Sequence, residues 1–339
     1  MSYQGPGLAP RVPCGNVVAL ARRAADRTTS VMSDRTVLAL VPPPPGSPRE
    51  RAEVQPGQCI EQSRRYRLLA QIGEGGMGTI WRAVDEALDR EVAIKFLKPD
   101  VPLAYRRRFR REAKIGAGFD HANLVRVIDA GSRLRDGDEW LAMDLLHGHD
   151  LGELIEMQGR IGVPVLVDVF AQALAALAYI HARRLVHRDI KPYNLFVARG
   201  PNDRGFVVKL IDFGICRNLA VPEAADDHIV GDPRYMPPEQ ATLGAAVDAR
   251  TDLYALGLSF VQAATGSHPF VASFDAPVRE LLRAHRNGLA TPPSAGLPGG
   301  VARSFGRAFD DFVAKACAPD PAQRFADAES MLTALSLLT

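Results

Sequence analysis

Within eight residues, His187-Arg188-Asp189-Ile190-Lys191-Pro192-Tyr193-Asn194, the chain gathers a carboxylate, an ammonium and an amide. Asp189 can accept the proton of an attacking hydroxyl or orient that hydroxyl. Lys191 can neutralise a phosphoryl group in transfer, and Asn194 offers an oxygen of the hard kind that Mg2+ takes. Asp212-Phe213-Gly214 follows 23 residues after Asp189. Its carboxylate suits a Mg2+ that bridges β and γ phosphates. The octapeptide is the most specific feature in the chain.

A second constellation suits the other end of a nucleotide. Gly73-Glu74-Gly75-Gly76-Met77-Gly78-Thr79-Ile80 fits GxGxxGxV with isoleucine in the valine place. Glycines let backbone N–H groups approach phosphate oxygens closely. Alone the pattern is weak, because dinucleotide sites use a similar one that leads into a helix. Here the loop joins two strand-like segments. Val92-Ala93-Ile94-Lys95 follows. A lysine in an apolar strand is costly unless its charge is used. Read alone, Lys95 is either a snorkelling edge residue or a ligand of α and β phosphates; after a glycine-rich hairpin the second reading is favoured. A carboxylate should hold it, and Glu112, 17 positions on, is the candidate.

These residues need a scaffold, and the patterning supplies one. Tyr66 to Ile72, Thr79 to Val84 and Glu91 to Phe96 read as strands. A helix over Leu103 to Ala117 follows, then strands at Leu124 to Asp129 and Trp140 to Met143. Beyond Asp144 the chain turns helical. Val165 to Arg183 carries a long apolar face, and Thr251 to Thr265 is apolar all round, which predicts full burial. Short strands near Leu195 to Ala198 and Val207 to Ile211 separate these two, and a last helix covers Ala326 to Leu338. The fold class is α+β and bilobal, a small β-rich N-lobe (66–143) with one helix and a larger α-helical C-lobe (147–338), with the chemistry in the cleft between them.

Composition excludes several classes. Apolar residues make up 47% and charged residues 24% of the 339, with a formal net charge of +2. Nothing there calls for nucleic acid as a partner. Cys14, Cys59, Cys216 and Cys317 are too scattered for a disulfide framework, which fits a reducing cytoplasm. No apolar run reaches the roughly 18–20 residues of a membrane span, so no membrane anchor is expected. Residues 1–62 are rich in proline and arginine and read as a disordered leader. Met32 is an alternative start to Met1.

In this order, the glycine loop, VAIK, HRD-x-K-x-x-N, DFG and Pro237-Pro238-Glu239 resemble the eukaryotic-type (Hanks-type) serine/threonine protein kinases. GEGGMGTIW and YMPPEQ are most similar to the bacterial branch. Lys191, two residues after Asp189, is similar to the Ser/Thr rather than the Tyr kinases. The resemblance covers about Tyr66 to Leu338. It implies transfer of the ATP γ-phosphoryl group to Ser/Thr hydroxyls of a protein substrate, with Mg2+, or Mn2+ in its place. It implies catalytic roles for Asp189, Lys191, Asn194, Lys95, Glu112 and Asp212, with Asn194 and Asp212 holding metal. Nucleotide would lie against Ile72, Gly73, Glu74, Gly75, Gly76, Met77, Gly78, Thr79, Ile80, Ala93 and Lys95. Met143 would be the gatekeeper, and the backbone of Asp144, Leu145 and Leu146 the adenine-binding hinge. Glu239 would pair with Arg324, and Asp252 would hold the catalytic-loop backbone.

Three departures from that pattern stand out. Asp212 to Glu239 contains no serine or threonine, and Tyr235 is its only hydroxyl. Asp226, Asp227 or Asp232 would then stand in for an activating phosphate opposite Arg188. Asp232 occupies the place of a threonine that bonds the catalytic Asp and Lys. A carboxylate there would bond Lys191, or repel Asp189. Gly116 replaces an apolar residue one turn after Glu112. Either the helix ends there, or it is loosely held and Lys95 meets Glu112 only with a partner or nucleotide bound. A pseudokinase scaffold that binds nucleotide without catalysis is the alternative function. A small-molecule phosphotransferase fits less well, given the Pro-Pro-Glu and Pro-x-x-Arg features.

Overall fold

The computed structural model describes residues 55–60, 65–75, 78–98, 101–132, 139–200, 204–220, 229–270 and 277–338. Five antiparallel strands open the fold: β1 (Tyr66–Glu74), β2 (Gly78–Asp85), β3 (Arg90–Leu97), β4 (Val127–Ser132) and β5 (Glu139–Asp144), in the order β1-β2-β3-β5-β4. Alternation along β3 gives each sheet face its own core. Val92, Ile94 and Phe96 pack with Tyr66, Leu68, Trp81 and Trp140 on one face. Leu97 and Leu141 pack with Phe109 of helix α1 (Leu103–Gly116) on the other. That second face also carries Lys95, so helix and strand geometry together bring Lys95 to α1.

Two sequence expectations shift here. The fourth strand starts at Val127, while Leu124 forms an isolated parallel bridge to Leu210 of the large lobe. Gly57 to Ile60, assigned above to the disordered leader, pair with β1: the Ile60 amide donates to the Tyr66 carbonyl at 3.0 Å and the Leu68 amide donates to the Gln58 carbonyl at 3.0 Å. Ile60 is buried in the first core, because the aromatic pair Tyr66–Trp140 beside it needs cover. The leader assignment for 1–54 lies outside the described residues.

The large lobe follows a three-stranded sheet, β6 (Gly148–Asp150), β8 (Leu195–Arg199) and β9 (Phe206–Leu210), and a two-stranded one, β7 (Leu185–Val186) with β10 (Arg217–Asn218). Helix α2 (Leu151–Gln158) is capped by Asp150, whose side chain accepts from the Glu153 amide. Helices α3 (Val163–His181) and α4 (Ala249–Thr265) form the centre, with α5 (Val278–Asn287), α6 (Gly299–Ala316) and α7 (Ala328–Ser336) around them. Every residue of α4 from Thr251 to Ala264 is buried, as its all-round apolarity requires. Helix α3, with 19 residues and a mean hydropathy of 1.9, corrects the expectation that no run is long and apolar enough to span a membrane. Leu166, Phe170, Ala173, Leu174, Leu177 and Ile180 of that helix are buried in the lobe core.

Candidate active site

Lys95 and Glu112 meet across the small lobe. The Lys95 ammonium lies 3.1 and 2.9 Å from the two Glu112 carboxylate oxygens. Lys95 sits on β3 between Ile80 of β2 and Leu141 of β5. The Lys95–Glu112 pair is closed in this structure. Helix α1 does end at Gly116, and a contact explains the glycine. A Cβ there would stand 2.4 Å from Cγ2 of Val127 on β4. The missing side chain lets the end of α1 seat directly on the sheet. Gly116→Ala gains about 1 kcal/mol of helix propensity but forces overpacking worth about 1–3 kcal/mol. The clash wins, because Val127 is branched at the contact and cannot rotate both γ-methyls away. A lower melting temperature is expected from calorimetry, and Val127→Ala should reverse the effect of Gly116→Ala.

The glycine loop joins β1 to β2, as expected, and the Gly75 amide donates to the Gly78 carbonyl at 2.9 Å to close the hairpin. Gly78 must be glycine, since a Cβ would lie 2.2 Å from the Phe96 carbonyl oxygen. Ile72 and Gly73 lie on β1, with exposed Glu74 paired to Lys98 at 3.0 Å. Thr79 and Ile80 lie on β2 and Ala93 on β3. Gly76 and Met77 lie outside the described residues. Met143 pairs with Ala93 and Val127 on the sheet and packs against the Leu97–Phe109–Leu141 cluster. The Asp144 amide donates to Arg126 at 3.1 Å, and Leu145 and Leu146 lead from β5 into the large lobe.

The octapeptide runs from β7 to a 3-10 turn at Pro192–Asn194. Asp252 of α4 fixes it from below, accepting the His187 and Arg188 amides at 2.8 Å each and meeting His181 Nε2 at 2.7 Å. Arg188 is thereby held at φ 66°, a left-handed conformation unusual for a side-chain-bearing residue. Above this floor, Asp189 Oδ2 is 3.0 Å from Lys191 Nζ and 3.1 Å from Asn194 Nδ2. Asn194 Nδ2 also donates to the Asp189 carbonyl at 2.7 Å. The second Asp189 oxygen, Oδ1, is buried and carries no hydrogen bond. Burial pushes the Asp189 carboxyl up, Lys191 pulls it down, and Asp212 and Asp232 add to the rise.

Asp212 sits in a left-handed turn at φ 64°. Burial raises its carboxyl, but the charges of Lys95, Lys191 and His187 outweigh burial and hold it below the usual carboxylate range. Phe213 stacks edge-on to Phe119 and His187, centroids 4.9 and 5.2 Å apart, which locks the segment between the lobes. Among the described residues no cluster of three His, Cys, Asp or Glu gathers as a closed metal cage. An ionised Asp212 and the oxygen of an oriented Asn194 fit Mg2+ instead, which takes one or two protein ligands and fills its sphere with water and phosphate oxygens.

Glu239 and Arg324 form the expected pair, at 2.7 and 2.9 Å. Asp232 does not turn to Arg188 or Lys191. It accepts from Arg234, at 2.8 Å from Nε and more closely from the terminal nitrogen. Arg188 Nε donates to the Ile215 carbonyl at 2.7 Å. Asp226 and Asp227 lie outside the described residues. Tyr235, the one hydroxyl of the segment, is buried and bonded to Gln262 at 2.5 Å. Sequence reasoning missed His181, Gln240 and Arg234. Gln240 bridges the Arg188 and Val230 carbonyls at 2.8 Å each. Only Arg234 left a readable signal, a charge two positions from the anomalous Asp232.

The chain is 40% identical over 278 residues to the serine/threonine-protein kinase PksC of Streptomyces coelicolor, covering 79% of this chain and 48% of that protein. It is 34% identical over 272 residues to PrkC of Bacillus subtilis, covering 79% and 40%. The chain thus spans about half or less of the length of these curated relatives. The crystal structure of the Mycobacterium tuberculosis PknI kinase domain superposes with a TM-score of 0.62 at 26% identity, over 84% of this chain and 100% of that one. Residues 66–335 match the protein kinase domain family, and with a relative at 40% identity among its bacterial serine/threonine kinases, the chain belongs to that family.

Proposed function

We propose that the chain is a serine/threonine protein kinase that transfers the γ-phosphoryl group of ATP to hydroxyls of a protein substrate in bacterial signalling. The observation that carries the reading is the division of labour at Asp189: one oxygen is bound to Lys191 and Asn194, and the other is buried with its lone pairs unspent. That second oxygen suits a substrate hydroxyl. The hydroxyl oxygen attacks the γ-phosphorus, its proton passes to Asp189, and the β–γ bridging bond breaks to release ADP. Lys191 offsets the charge of the transferring group, and Lys95, oriented by Glu112, holds the α and β phosphates. Bound through Asp212 and Asn194, Mg2+ would supply charge neutralisation at the β and γ phosphates. The free thiols of Cys59, Cys216 and Cys317 suit a cytoplasmic location.

Lys95→Met tests the nucleotide half. Transfer of label from γ-labelled ATP should fall by about 100-fold or more, from lost positioning and charge, and acid hydrolysis of wild-type product should yield phosphoserine or phosphothreonine. A pseudokinase would show the same background label in both proteins.

A further inference from the structure

Three carboxylates, Asp189, Asp212 and Asp232, act on one buried ammonium, that of Lys191. Asp189 binds it directly, at 3.0 Å. Asp232 lies close by, since Asp189 and Asp232 line one small cavity together with Arg188, Tyr235 and Gln240. Its side chain is only 1% exposed, so solvent does not offset its charge. Left unpaired, a buried carboxylate draws the nearest cation, and Lys191 is the cation that serves Asp189.

In this structure Asp232 is paired with Arg234 instead. Arg234 is buried, with its side chain 7% exposed, and it meets Asp232 with the forked geometry of a guanidinium on a carboxylate, Nε to Oδ1 and a terminal nitrogen to Oδ2. The Arg234 amide also donates to Asp232 Oδ1 at 3.1 Å. The surroundings hold the pair in place: Arg234 lies over the Tyr235 ring, 5.8 Å from its centroid, and Tyr235 is tied to Gln262. We infer that Arg234 is a positioning residue for phosphoryl transfer, which occupies Asp232 so that Lys191 remains on Asp189. The segment that carries Asp232 and Arg234 is coupled to the catalytic loop through this pairing. The neutral partner expected at position 232 is replaced here by an ion pair that carries its own counter-charge.

The inference rests on the kinase reading of Asp189 and Lys191, and the test separates the two. The wild-type chain, Arg234→Gln, Asp232→Asn/Arg234→Gln and Asp189→Asn are assayed for kcat and for nucleotide affinity with a fluorescent ATP analogue. Arg234→Gln should lose at least 10-fold in kcat with nucleotide affinity within about twofold of wild type, which a folding defect would not leave intact. Removing the orphaned charge in the double variant should return kcat to within about threefold of wild type. If Arg234→Gln does not fold, the double variant alone decides: near wild-type turnover supports the inference, and an inactive but nucleotide-binding double variant overturns it. A double variant no faster than Arg234→Gln also overturns it while leaving the kinase reading intact. Wild-type turnover in Asp189→Asn overturns both.

Discussion

Asp189→Asn should lower kcat by about 10^3-fold while ATP affinity stays near that of the wild type. The amide preserves the shape of the side chain, so Lys191 and Asn194 keep a polar neighbour, but its oxygen is a far weaker base than a carboxylate. General-base assistance is worth about 10^2–10^4-fold. The middle of that range, and not its lower end, applies here for two reasons. Asp189 is buried, so a water molecule cannot easily take over the proton, and burial already raises its affinity for that proton. The loss should fall on kcat because Asp189 is separate from Lys95, Glu112 and the glycine loop, which carry the nucleotide in the proposed reading. A radiolabel assay with matched nucleotide-binding measurements checks this. Equal incorporation in both proteins would remove Asp189 from the chemistry.

The candidate site residues were legible because each is of a residue type that physics makes expensive to place without use. Lys95 in an apolar strand, and Asp189, Lys191 and Asn194 gathered within six residues, both needed explanations beyond packing. The lobes were legible through periodicity: period two along β3, and an α4 apolar on all sides. What sequence could not give was the partner of a charge. Asp232 was visible as an anomaly, yet whether it would face Lys191, Arg188 or Arg234 depends on side-chain direction, which spacing does not encode. Gly116 is similar. Its low helix propensity suggested a weak helix, but the deciding fact is Val127, a residue of another element 2.4 Å from where a Cβ would stand. The seating of Gly57 to Ile60 on β1 was hidden for a related reason. One buried isoleucine in a polar segment is too short a pattern to register, although it closes the edge of a core.

Asp252→Ala should damage both stability and turnover, which sets the buried helix α4 apart from an inert scaffold. Asp252 is 1% exposed and gives its two oxygens to the His187 and Arg188 amides and to His181. Removing it strands two buried N–H groups, at about 1–3 kcal/mol each, and takes a partner from His181. A total near 4 kcal/mol corresponds to a fall of roughly 10 °C in melting temperature for a domain of this size. The kinetic effect follows from the backbone. Arg188 holds φ 66° because Asp252 and Gln240 fix the groups on either side of it. Released, the loop relaxes toward the right-handed basin, and Asp189 at the next position moves with it. A shift near 1 Å in a reacting group costs about 10^2-fold. Asp252→Asn should fall between the two, since its single carbonyl oxygen can accept from one amide while its NH2 faces the other donor. Calorimetry and kcat on the same preparations decide the matter. Unchanged turnover in a folded Asp252→Ala protein would show that Gln240 alone suffices to hold the loop, and the role assigned to Asp252 would pass to it.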